Sequence, residues 1–379
     1  MNKALTLFFI LISLMSCEPE QNKEKLVDNS DIALFWTAYN QITQTQDSLE
    51  QVKLLQELYL SKGSQGLKGI IEAKNYTIED FLHAINHYPK FWQSIRANTL
   101  KSDLIEGDLM KGIEKLRKIY PELRPAKIYF TIGAMRSNGT TLDSLVLIGS
   151  EYAMADQNTD SSEFPEAYRA ARKTFFDSNP IDNIVLLNIH EYVHTQQKPI
   201  VHKLLSQCLY EGVAEFVSVK AMGVPSASPA IAFGKANESK IREKFEMDMH
   251  LEGKTYEWIW GDAENGFGVR DLGYYIGYEM CERYYNAQED KKAAIKTLIE
   301  LDYEQEKSIE EWIDKIQFFS KPIQQLHDEF EAKRPTILSV EPFSSDSTNV
   351  NPNTAQVILH FSAPMNKETR GFDFGPLGE

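Results

Sequence analysis

The chain has 379 residues, of which 42% are apolar and 25% charged. This is ordinary globular usage, and it excludes wholesale disorder, a collagen-like repeat and a polytopic membrane protein. With 40 Lys and Arg scattered among 55 Asp and Glu, for a net charge of −15, the electrostatic footprint of a nucleic-acid binder is missing, so nucleic acid is excluded as a partner.

The first segment combines Lys3, an apolar run from Ala4 to Ile12 and then Ser13-Leu14-Met15-Ser16-Cys17. A bilayer crossing needs about 20 apolar residues, and polar residues follow at once, so residues 1–16 form a signal peptide. Leu14-Met15-Ser16-Cys17 resembles the lipobox of bacterial lipoproteins. The resemblance implies that Cys17 is acylated and becomes the first residue, anchoring the protein by lipid in the bacterial cell envelope, at the outer membrane. Residues 17–30 are polar and suit a tether. Beyond Cys17 only Cys208 and Cys281 remain, too few for a disulfide framework, so one bridge or two buried thiols are expected.

From Ile32 to Tyr120 the pattern is helical. Leu54, Leu55, Leu58 and Leu60 recur at helical spacing, and Thr77 to Asp80 supplies an N-cap ahead of Phe81. Ser61 to Gly66 has the composition of a turn. After Pro125, Lys127–Ile132 and Ser144–Gly149 are strand-like runs, separated by a polar turn at Ser137–Thr140. Helical signal returns from Ile181 to Tyr285, with breaks at Pro199, at Val224–Ser226 and across Gly261–Gly268. Past Arg334-Pro335, Thr336–Val340 and Ala355–Phe361 are again strand-like.

The chemistry is carried by His190-Glu191-Tyr192-Val193-His194, at the end of the apolar run Ile184–Ile189, which is expected to be a buried helix. Residues i and i+4 share a helical face. Both imidazoles can therefore reach one tetrahedral Zn²⁺, while Glu191, a little round the helix, can reach a water without being a ligand. A catalytic zinc needs a third protein ligand, and Glu211 opens Glu211-Gly212-Val213-Ala214-Glu215 on the following segment. The expected cofactor is one Zn²⁺ per chain.

This arrangement resembles the gluzincin class of metallopeptidases, in which a Glu on a second helix, often followed by Gly-x-Ala, completes the site. The resemblance implies that Glu215 hydrogen-bonds the outer nitrogen of a ligating histidine. The metzincin pattern is excluded because positions 197 and 200 are Gln197 and Ile200. More widely, residues 30–330 resemble a family of zinc-dependent proteases that includes lipoproteins related to a gliding-motility lipoprotein. The stretches that carry this are Phe91–Arg96, Asn188–Gln197 and Arg270–Tyr278.

The implied fold class is α+β, with a mostly helical zincin-like core and a small sheet over residues 31–333. Residues 334–379 resemble the start of an immunoglobulin-like β module. Tyr274-Tyr275-Ile276-Gly277 resembles the segment that supplies an oxyanion-stabilising tyrosine, which makes Tyr274 the candidate, with Tyr278 and Arg270 in reserve. The implied activity is hydrolysis of a peptide or protein substrate, with Glu191 as general base. Leu145–Ser150 resembles the edge strand along which such enzymes hold an extended substrate. The alternative is a non-catalytic envelope-assembly or gliding-motility lipoprotein that keeps the fold. His83 and His87 share the i, i+4 spacing, but position 84 is Ala and no third ligand lies nearby in sequence, so they are expected at a helix surface. His202 is expected on the polar face of the next helix, and Cys208 in the core.

Overall fold

The computed structural model describes residues 25–200, 203–251, 253–261, 265–343, 349 and 351–365. The expected signal peptide (residues 1–16), Cys17, the start of the expected tether and His202 lie outside the described residues. Within them the chain is mostly helical, with a four-stranded mixed sheet and a separate two-stranded antiparallel sheet.

The helical opening comprises α1 (Ser30–Ile42), α2 (Ser48–Leu55), α3 (Gln65–Lys74), α4 (Ile78–His87), α5 (Pro89–Thr99) and α6 (Glu106–Ile119). Local chemistry sets several boundaries. At α4 the Asp80 N–H donates to Thr77 Oγ1 at 3.2 Å and the Thr77 N–H to Asp80 Oδ2 at 2.9 Å, a capping box that satisfies two otherwise orphaned amides. The Ser61–Gly66 turn is shorter than its composition suggests. The Ser64 hydroxyl accepts from the Gly66 and Leu67 N–H groups, so helix α3 already includes Gln65 and Gly66. Apolar faces of these helices meet, together with Tyr59 from the π-helical turn Gln56–Leu60 after α2, in a cluster of Phe35, Trp36, Tyr59 and Trp92, all buried. The Phe35 ring lies 4.9 Å from Trp92 and 5.4 Å from Tyr59, contacts that contribute about 0.5–1.5 kcal/mol per pair beyond area burial.

The mixed sheet contains β1 (Val27–Asp28), β2 (Lys127–Thr131), β3 (Gly139–Leu142) and β4 (Leu145–Gly149), in the order β1-β2-β4-β3. β2 is parallel to β1 and β4, and β3 is antiparallel to β4. Two expectations are corrected here. Ser137–Thr140 is not wholly a turn, because Gly139 and Thr140 pair with Ile148 and Leu147; pairing with a neighbouring strand outweighs local polarity. Nor is Leu145–Ser150 an edge strand. β4 lies between β2 and β3, Ser150 begins the short helix α7 (Ser150–Ala153), and the edge strands are β1 and, on this side, β3. All five residues of β4 are buried, as befits an apolar strand covered on both faces.

Side-chain alternation assigns those faces. Leu145 and Leu147 lie beneath α3, where Gly69 allows close approach. Val146 and Ile148 point the other way, toward α9 (Ile184–His194), which follows α8 (Glu166–Asp177) and packs on β3 and β4. Gly112 of α6 rests against Val185 and Ile189 of α9. The Tyr192 hydroxyl accepts from the Ala126 N–H at 2.8 Å, tying α9 to the start of β2.

Next come α10 (Leu204–Met222), α11 (Pro229–Ala236), α12 (Glu238–Asp248), α13 (Thr255–Trp258) and α14 (Leu272–Ala287). α10 and α14 cross at glycines. A Cβ on Gly212 would stand 2.1 Å from the Gly277 carbonyl carbon, and one on Gly277 would stand 1.9 Å from the Cys208 oxygen. No larger residue fits at either position without parting the helices. Cys208 and Cys281 are buried free thiols. After α15 (Lys291–Ile299), α16 (Glu306–Lys315) and α17 (Ile323–Glu331), β5 (Ile337–Glu341) and β6 (Ile358–Phe361) pair antiparallel. Ile337, Leu338, Ile358 and Leu359 of that hairpin are exposed.

Candidate metal centre

The last turn of α9 and the middle of α10 bring three ligand-type side chains together. His190 Nε2 and His194 Nε2 are 3.1 Å apart, and Glu211 Oε2 lies 3.2 Å from the His194 nitrogen and 3.5 Å from the His190 nitrogen. All three residues are buried, with at most 8% of their surface exposed. A tetrahedron of ligands has edges about 1.6 times the bond length, so donors about 2.0–2.1 Å from a common centre stand about 3.3 Å apart. The triangle matches that spacing, and the group could hold a metal ion.

The outer hydrogen bonds decide which ring nitrogens carry protons. His190 Nδ1 lies 3.1 Å from Glu215 Oε2, and His194 Nδ1 lies 2.6 Å from Gln197 Oε1. A carboxylate or an amide oxygen only accepts, so each ring donates from Nδ1 and turns the Nε2 lone pair toward the centre. These acceptors are themselves held. The Gln197 amide donates to the Tyr210 carbonyl at 3.0 Å and the Tyr303 hydroxyl at 3.2 Å. The Ser226 hydroxyl donates to Glu215, and the Gln207 amide to Glu211 at 3.4 Å. Tyr210 stacks on His194 at 4.5 Å, and Tyr274 stacks on His190 at 6.1 Å.

Burial works against charge on every member of the cluster. For His190 it is outweighed by the Glu211 and Glu215 carboxylates, which carry the imidazole up to about 10. Glu211 and Glu215 are likewise opposed by burial, yet His194 and His190 hold Glu211, and His190 with the Ser226 hydroxyl holds Glu215, below the usual carboxylate range. Glu191 goes the other way: burial outweighs the pull of His194 and His190 and leaves it raised. Three electron-rich atoms this close require positive charge among them, which a proton on His190 or a metal ion can supply.

Glu191 is 7% exposed and lies against the edge strand, where a Cβ on Gly139 would stand 2.6 Å from its Oε1. Tyr274, half-buried in the first turn of α14, stacks on His190, and burial, followed by the charge of nearby Glu211, pushes its hydroxyl well up. The two reserves fall elsewhere. The Arg270 guanidinium donates to the Gly261 and Trp260 carbonyls at 2.7 and 2.8 Å, and Tyr278 is buried edge-on to Phe216. His83 and His87 stack on each other at 4.0 Å on an exposed face of α4, and Cys208 is buried against Gly273.

Sequence reading passes over Gln197, Tyr210, Ser226 and Gly139. Gln197 stands three residues beyond His194, and Tyr210 is next to Glu211, so proximity to the motif was the available signal for both. Gly139 and Ser226 are distant in sequence and carry none. No family model, no curated protein and no solved structure matches the chain.

Proposed function

We propose that the chain is a zinc-dependent metallopeptidase of gluzincin type, with a zincin-like core over residues 31–333 and Cys17 as its lipid anchor in the bacterial cell envelope. In this reading the β5–β6 hairpin is the start of an immunoglobulin-like module. The observation that carries the proposal is the buried His190, His194 and Glu211 triangle, with Glu191 beside it against an open sheet edge. Borderline nitrogen and carboxylate donors in a tetrahedral spacing favour zinc over magnesium or calcium, which take more oxygen ligands. When bound, zinc supplies Lewis acidity toward a water and a carbonyl oxygen.

The chain's own residues do the rest. Glu215 and Gln197 hold the two rings so that only Nε2 faces inward. Glu191, raised by burial, accepts a proton from the attacking water as the new carbon–oxygen bond forms. It returns that proton to the amide nitrogen as the carbon–nitrogen bond breaks. The Tyr274 hydroxyl donates to the oxygen that becomes anionic on the carbonyl carbon. An extended peptide pairs with the open edge of β3, and Gly139, lacking a side chain, leaves the Glu191 carboxylate its place.

The test is metal analysis of the protein lacking residues 1–16, together with cleavage of a peptide library by wild type and Glu191→Gln. One zinc per chain is expected in both, with activity falling about 10²–10⁴-fold in the variant. Zinc in both proteins and cleavage by neither would favour the non-catalytic envelope component.

A further inference from the structure

The half-buried Lys74 stands at a place the reaction outlined above does not use. Helix α3 crosses the sheet strand by strand: Gly66 lies on Tyr129 of β2, and Gly69 lies on Leu145 and Leu147 of β4. Its last turn therefore reaches β3 and the open edge, and α3 packs on β3 as well. The end of the helix is fixed there. Asn75 caps it in the left-handed region at φ 50°. Arg136 Nη1 donates to the Lys74 and Asn75 carbonyls at 3.0 and 3.1 Å, and Nη2 is bound to Asp80 at 2.6 Å.

From that anchored position the Lys74 side chain is partly buried. The carboxylates it senses are Glu191 and Glu211. No carboxylate among the described residues comes within ion-pair distance of its ammonium. Burial depresses its basicity, and those two carboxylates only partly restore it. A lysine ammonium that has lost part of its hydration and has no counter-ion in contact is left less stable, and an arriving anion offsets that loss.

Building on the metallopeptidase reading, we propose that Lys74 receives a carboxylate of the bound peptide, so that the substrates are peptides carrying a negative charge close to the cleaved bond. The carboxylate can come from an Asp or Glu side chain or from a free C-terminus, and either would approach along β3, where the extended chain pairs. A lysine suits this task, since its compact ammonium on a flexible stem can follow either source.

The experiment measures peptide binding rather than turnover. Zinc-loaded Glu191→Gln protein, with Lys74 intact, changed to Met or changed to Arg, is titrated with four matched peptides: acidic or amide side chains, each with a free or amidated C-terminus. With Lys74 intact, peptides bearing the recognised carboxylate should bind at least tenfold tighter than neutral ones. Which member of the set wins identifies the source. Lys74→Met should abolish that difference while leaving zinc content and the weaker binding of the neutral peptide unchanged, and Lys74→Arg should retain most of it. Equal binding of all four by the Lys74 protein, or an equal loss for all four in Lys74→Met, overturns the proposal alone. If no peptide binds, the metallopeptidase reading falls with it.

Discussion

The chain holds two histidine pairs four residues apart on helices, and they have opposite surroundings. His83 and His87 lie on the exposed side of α4, stacked 4.0 Å apart, and His87 Nδ1 is bound locally to the His83 carbonyl at 3.0 Å. His190 and His194 are buried edge to face against each other, with a carboxylate from another helix between their inner nitrogens and an acceptor on each outer one. Spacing makes a pair able to share a face. Desolvation and partners from elsewhere in the chain make that face a group that could hold a metal ion.

The most direct way to break the comparison is to delete each pair in turn. His194→Ala should reduce zinc to background by metal analysis, whereas His83→Ala with His87→Ala should leave one zinc per chain. Retention by the first or loss by the second would reverse the assignment. Next in size is the helix crossing that carries Glu211 to the histidines. Gly212→Ala puts a methyl group into the Gly277 backbone, and should cost about 3 kcal/mol in chemical unfolding with lower zinc occupancy. A neutral result would mean that α10 and α14 can separate without disturbing the site.

Glu151 sharpens the contrast between buried carboxylates. It is 0% exposed and accepts from the Gly133 and Met135 N–H groups at 3.0 and 3.1 Å. With no histidine to oppose burial, its carboxyl is pushed up to about 7, the reverse of Glu211. Its folded-state pKa lies above the unfolded value, so its stabilising contribution is complete below about pH 4.5 and is lost as pH rises through 7. Wild type should therefore lose about 3 kcal/mol relative to Glu151→Gln between those limits. Parallel unfolding profiles for the two proteins would contradict this.

The smallest expected effect concerns the outer bonds that the exposed pair lacks. Glu215→Gln can still accept from His190 but gives up the charge. Zinc affinity should fall about 10- to 100-fold by competition with a chelator, while the fold is kept. An unchanged affinity would show that ring orientation depends on packing against Tyr274 rather than on the carboxylate.

Much of this was legible in the sequence. The capping box at Thr77 and Asp80, the buried helix ending in His190 and His194, and Glu211 on the next helix are local patterns, and local patterns survive folding because helical geometry repeats every few residues. β3 was hidden because Gly139 and Thr140 look like a turn until Ile148 and Leu147 pair with them. For the same reason β4 reads as an edge strand in sequence: strand order depends on crossovers that no short window contains.

Residue identity and spacing determined which side chains could act together: two imidazoles on one helical face, a carboxylate one residue along, and another on the helix that follows. The tertiary structure decided which histidine pair is desolvated, which nitrogen of each ring faces inward, that Gly139 lies against Glu191, and that α3 packs on the edge strand β3. These depend on contacts between residues far apart in the chain. Burial and partner charges come from the whole packed structure, and no local stretch of sequence encodes them.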